Sequence, residues 1–107
     1  MKKLNLIKNA KRIVLKIGSS LLIDNGKFNH RWLNSLAEDI INIAYEKEII
    51  IVASGAVSLG KNYLNFKGKD ININLKQAFA SCGQVILMNN FIEVFERKKR
   101  KIAQVLL

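Results

Sequence analysis

The chain has 107 residues, half of them hydrophobic, a net charge of +10, one cysteine and one histidine. That length allows a single domain that buries roughly 60–65% of its unfolded surface, and the apolar content excludes a disordered chain. A lone cysteine excludes an internal disulfide, and a single Cys and a single His, Cys82 and His30, far apart, disfavour a zinc site.

The N-terminus is basic, but Lys8, Lys11, Arg12 and Lys16 interrupt its apolar residues, as a signal peptide would not allow. No stretch reads as approaching the length of a membrane span, so a cytoplasmic protein is expected. Residues 12–17 are rich in Ile, Val and Leu and predict a nearly buried strand that ends at Gly18. Asp24-Asn25-Gly26 is a turn signal. From Asn29 a helix is predicted to about Lys47, with Leu33, Leu36, Ala37, Ile40, Ile41 and Ala44 on one face. Residues 48–53 form a second apolar run of strand length, so strand, helix and strand make a βαβ unit with parallel strands. After Ser54-Gly55 a short helix is predicted to Gly60 or slightly beyond, then a loop over 65–73.

A long helix follows from about Asn74 to Arg97. Its inner face is predicted as Leu75, Ala78, Phe79, Cys82, Val85, Ile86, Met88, Ile92 and Phe95. Gly83 in mid-helix is about 1 kcal/mol less favourable than Ala and points to close packing. The basic run Lys98–Lys101 sits where positive charge complements the helix dipole. Ile102–Leu107 reads as a third strand. The fold class is therefore α/β, a parallel sheet with βαβ units. A three-stranded sheet with open edges is unfinished, so residues 1–107 are expected to be part of a domain truncated after its third strand.

Two segments share one design. RIVLKIGSS (Arg12–Ser20) and IIIVASGA (Ile49–Ala56) are each an apolar strand running into a small-residue loop. In a parallel sheet both loops open at one edge, where open α/β sheets bind ligands, and free backbone N–H groups there suit phosphate. Lys16 has two readings: a point charge reaching a phosphate from the strand's end, or an exposed strand residue. Gly18, Ser19 and Ser20 offer N–H and hydroxyl donors, although such a triplet is often only a turn. Ser54 and Gly55 open a helix whose positive end attracts anions. The segment SGAV is not a nucleophile elbow, and no Walker or G-x-G-x-x-G motif is present. Asp24, Glu38, Asp39, Glu46 and Glu48 read as solvated, Cys82 as a small packing residue, His30 as a surface or helix-start residue, and Trp32 as a packing residue. The basic residues are spread along the chain without interleaved aromatics, which disfavours a nucleic-acid surface.

The ordered segments K-I-G-S-S, W-L-N-S-L-A-E-D-I, V-A-S-G-A-V-S-L-G, L-K-Q-A-F-A-S-C-G-Q-V-I-L-M and A-Q-V-L-L resemble the amino acid kinase family, and its glutamate-phosphorylating members in particular. The similarity runs from about Lys11 to Leu107. It implies the N-terminal, substrate-side part of a three-layer αβα sandwich and ATP-dependent phosphorylation of the L-glutamate side-chain carboxylate to glutamyl 5-phosphate, the first intermediate of proline biosynthesis. It also implies that Lys16 contacts the ATP phosphates and the transferring group, that Gly18, Ser19 and Ser20 belong to the ATP-phosphate loop, and that Ser54, Gly55 and Ala56 bind glutamate. Mg²⁺ is expected with ATP, and no metal ligand is assigned in this chain. Ala53 departs from the Ser or Thr often found before S-G-A. The family's later site residues have no counterpart here, so the chain is expected to be inactive alone, with a possible complementing chain and a homo-oligomer when complete. The alternatives are an acetylglutamate- or carbamate-type kinase, or a non-catalytic basic module that binds nucleic acid.

Overall fold

The computed structural model describes residues 2–44 and 46–105. Its elements in chain order are α1 (Lys2–Asn9), β1 (Arg12–Ile17), α2 (Ser19–Leu22), β2 (Ile23–Asp24), β3 (Lys27–Phe28), α3 (His30–Ile43), β4 (Glu48–Ala53), α4 (Ala56–Tyr63) and α5 (Ile73–Arg97). β1 and β4 pair in parallel, from Arg12 opposite Glu48 to Ile17 opposite Ala53. The strand–helix–strand unit read from the sequence is therefore present, with both strands ending level.

The two strands alternate instead of being buried on both faces. Ile13, Leu15, Ile17, Ile49, Ile51 and Ala53 turn one way, and Leu15, Ile17, Ile49, Ile51 and Ala53 join the core. Val14, Lys16, Ile50 and Val52 turn the other way and are exposed, Val14 by 59%. The expectation of nearly buried strands fails because the described helices cover only one face of the sheet. Over its described part, residues 102–105, the third strand expected at Ile102–Leu107 is likewise not formed. Residues 101–105 are exposed and irregular, with no neighbouring strand to complete their hydrogen bonds, and 106–107 lie outside the described residues.

α3 begins as predicted, with Asn29 Oδ1 accepting from the Trp32 N–H at 3.2 Å. It buries Leu33, Ala37 and Ile40 but stops at Ile43, short of Lys47. The Ala44 N–H still closes on Ile40 O at 2.7 Å, and Glu46 then takes φ +62°, which no helix continues. Lys47 instead caps α1, a helix not foreseen from the sequence: its ammonium donates to Lys8 O at 2.6 Å and to Ala10 O. Asp24-Asn25-Gly26 makes the tight turn between β2 and β3, with φ of +51° at Asn25 and +77° at Gly26, as a type I′ hairpin requires.

α5 starts within a residue of the prediction. Asn72 Oδ1 accepts from the Leu75 N–H at 2.8 Å and fixes that start. Its buried stripe is Phe79, Gly83, Leu87, Phe91, Val94 and Phe95, so only Phe79 and Phe95 of the predicted face are fully buried. Val85 and Ile92 are exposed. The face is rotated because its centre is a glycine, which hydrophobic periodicity does not count. α5 also corrects the reading that no stretch approaches a membrane span: it is long and apolar enough to cross one. Here its apolar stripe is occupied by packing against α3 and α4.

The tightest packing lies between α4 and α5. A Cβ on Gly83 would fall 1.6 Å from Ala56 O and 2.7 Å from Gly60 N, and one on Gly60 would fall 1.8 Å from Phe79 O. Only glycine lets the two backbones meet this closely. In an open helix Gly→Ala gains about 1 kcal/mol; at Gly83 the sign reverses. Gly83→Ala is expected to lose about 1–3 kcal/mol or more through overpacking, read as a lower urea midpoint, and an unchanged or higher midpoint would contradict the contact.

Candidate functional site: a cleft at the edge of the parallel strands

Because Ile17 and Ala53 are paired, the chain leaves the sheet at two adjacent points. One exit enters α2 through Gly18 and the other enters α4 through Gly55. An open cleft of about 620 Å³ lies there, walled by Ser19, Ala53–Ser58, Lys61, Gln84 and Leu87. It brings together Ser19, Ser54, Gly55 and Ala56 of the residues expected from the sequence. Gly18 and Ser20 flank it without lining it. Lys16 stands on the open face of the sheet, one residue before the strand ends, opposite Val52.

The helix starts at this edge differ from the others. α3 and α5 have Asn29 and Asn72 as side-chain caps. α2 and α4 begin at Gly18 and Gly55 with no side-chain cap. In α4 the first intrahelical bond runs from the Leu59 N–H to Gly55 O at 3.0 Å. The N–H groups of the preceding turn therefore have no intrahelical acceptor, and Ala56, Val57 and Ser58 all line the cleft. A negative group bound there meets free donors and the positive end of the helix.

Gly55 makes this turn possible. Its φ of +115° is open to glycine and strained for other residues, and a Cβ there would lie 3.0 Å from Ile23 Cγ1 and 3.6 Å from Ser19 Cβ. The same absence of a side chain keeps the second loop against the first. Sequence reading missed Ser58, Lys61 and Gln84 as wall residues. Gly55, Ser58 and Lys61 are spaced by three along α4, and that spacing alone aligns them on one side. Gln84 follows the glycine at which α5 touches α4. His30, assigned to a helix start, is the first residue of α3 and packs against the Phe28 ring with centroids 5.2 Å apart.

A βαβ unit with an open cleft at its strand ends is the arrangement of an α/β protein that binds its ligand at the sheet edge, and the chain belongs to the amino acid kinase family, which it matches over residues 11–107. It is similar to the protein named Glutamate 5-kinase of Pelagibacter ubique (strain HTCC1062), at 48% identity over 103 residues, covering 94% of this chain and 28% of that protein. Its identity to the Glutamate 5-kinase of Caulobacter vibrioides (strain NA1000 / CB15N) is 41% over 101 residues, covering 92% of this chain and 27% of that one. For the Glutamate 5-kinase of Lactococcus lactis subsp. cremoris (strain SK11) it is 42% over 111 residues, covering all of this chain and 40% of that one. The chain thus spans between about a quarter and two-fifths of the length of these curated relatives.

Gly55→Ala forces a Cβ into the strained region of backbone space and toward Ile23. It is expected to lose about 1–3 kcal/mol, measured by thermal denaturation, with helix content unchanged in the far-ultraviolet spectrum.

Proposed function

We propose that the cleft is the phosphoryl-acceptor side of a glutamate 5-kinase. The observation that carries this reading is the pair of helix starts without side-chain caps lying side by side at the strand ends, the second turned by a left-handed glycine. Phosphoryl transfer asks a protein mainly to align two anionic reactants and to stabilise the charge that moves between them. In this reading Gly18, Ser19 and Ser20 hold the ATP phosphates, and Lys16 reaches them from the open sheet face as a point charge. Ser54, Gly55 and Ala56 hold L-glutamate. A side-chain carboxylate oxygen attacks the γ-phosphorus, an O–P bond forms, the bond to the β,γ-bridging oxygen breaks, and ADP leaves with that electron pair. Glutamyl 5-phosphate results, as the entry to proline biosynthesis in the cytoplasm.

The shared name of the relatives favours glutamate over the acetylglutamate or carbamate acceptors of other kinases in the family. The nucleic-acid alternative gains nothing from the fold. Lys47 caps α1, and Arg12, Arg97 and Lys98 pair with Glu48, Glu93 and Glu38. The cleft wall holds no carboxylate. Among the described residues no group of three or more His, Cys, Asp or Glu side chains is placed for a metal. These residues alone do not fit the Mg²⁺ expected with ATP. Self-association belongs to the same proposal.

The test splices residues 1–107 to the remaining portion of the Pelagibacter ubique relative and follows glutamate-dependent ADP release. The spliced protein is expected to turn over, and Lys16→Met to lower kcat by about 100-fold or more through lost charge stabilisation. The 107-residue chain alone is expected to give no turnover. Full activity of the Lys16→Met protein, or clear turnover by the chain alone, would count against the respective claim.

A further inference from the structure

We infer that Lys61 selects the substrate by pairing with the α-carboxylate of the bound amino acid, so that the cleft takes an α-amino dicarboxylate and not a simple carboxylate. This rests on the glutamate reading above and assigns the end of the substrate that reading leaves free. The reacting carboxylate has to lie at the sheet edge, between the Gly18 and Gly55 loops, because the donor phosphates arrive there. The other end of the molecule then points along α4. Ser58 and Lys61 line that direction, with Gln84 of α5 also in the wall.

Lys61 lies six residues beyond Gly55, about 9 Å along the helix axis. Helical side chains lean toward the N-terminus of their own helix, so its stem runs back over the preceding turn toward the cleft. Lys61 is half-buried, as a lysine whose stem lies along a wall is. Among the described residues it enters none of the ion pairs or side-chain hydrogen bonds, whereas Lys47 and Lys98 are engaged. It is also the only cation in the cleft wall. Lys16, the other lysine of the proposed site, lies on the opposite face of the sheet and serves the other reactant. Ser58 Oγ and the Gln84 amide oxygen supply acceptors for the α-ammonium group. L-Glutamate presents both charges at that end, and 4-aminobutyrate is the same chain without the α-carboxylate.

The experiment titrates the ¹⁵N-labelled spliced protein described above with L-glutamate, 4-aminobutyrate and ATP, for the wild type and for Lys61→Met and Lys61→Arg. The amide spectrum of each variant reports whether it is folded. The wild type is expected to favour L-glutamate over 4-aminobutyrate by about tenfold or more, the effect of one charge-assisted contact. Lys61→Met is expected to erase that preference and leave ATP unchanged, and Lys61→Arg to retain most of it. Undiminished glutamate binding by a folded Lys61→Met protein, or a loss confined to ATP, overturns the assignment of Lys61 alone. A wild type that binds ATP but not L-glutamate overturns the glutamate reading and this inference with it.

Discussion

The contact between the backbones of α4 and α5 at Gly60 and Gly83 sets the rest of the site. With no side chain at either position, Gly83 sits against Ala56 O and Gly60 against Phe79 O. Ala56 is the first residue of α4, so the same contact that packs the two helices also fixes where α4 begins. That start follows directly from β4, whose register with β1 is set residue by residue. The cleft is therefore held by a chain of rigid constraints: strand pairing, a left-handed glycine at 55, and a helix start wedged against α5. A site built this way does not depend on loop order, and it keeps donors aimed at a fixed point, which is the condition for electrostatic stabilisation of a transferring group.

The treatment of helix ends shows where folding and function diverge. Asn29 and Asn72 satisfy N–H groups at the starts of α3 and α5, away from the cleft, and each such cap contributes about 1 kcal/mol. Gly18 and Gly55 forgo that contribution at the cleft. At Gly18, whose φ of −71° any residue adopts, stability alone would favour Ser, Asp or Asn; at Gly55 the φ of +115° itself requires glycine. Glycine leaves the donors open to a ligand and lets the backbone approach it closely. The contrast within one chain is a stronger indication of an anion site than either loop by itself.

Much of this was legible in the sequence, for reasons that are local. The strands at 12–17 and 48–53, the Asn-Gly turn, and the starts of α3 and α5 all rest on signals a few residues long, and the structure places each where those signals put it. What was not legible depends on partners. Residues 102–105 have strand composition, yet a strand exists only when a neighbour completes its hydrogen bonds. The inner face of α5 was misplaced because Gly83, its centre, carries no hydrophobic side chain. Gly83 was recognised as a packing residue, but only the second helix shows that the stripe runs through it. Lys61 escaped notice because a lysine on a short helix reads as solvated. Its meaning comes from the cleft that α5 closes beside it.

The sheet's two faces surround the strand ends differently. Ile17 and Ala53 close the core side of the pair, and α4 and α5 pack there. Lys16 and Val52 lie side by side on the open face, with Val14 and Ile50 behind them. A ligand at the strand ends thus meets a lysine from each side: Lys16 from the open face and Lys61 from the helical wall. Two like charges on one face would repel each other and compete for one anion. Divided by the edge of the sheet, they place positive charge on both sides of the strand ends. That arrangement follows from the alternation of side chains along β1 once α4 is anchored.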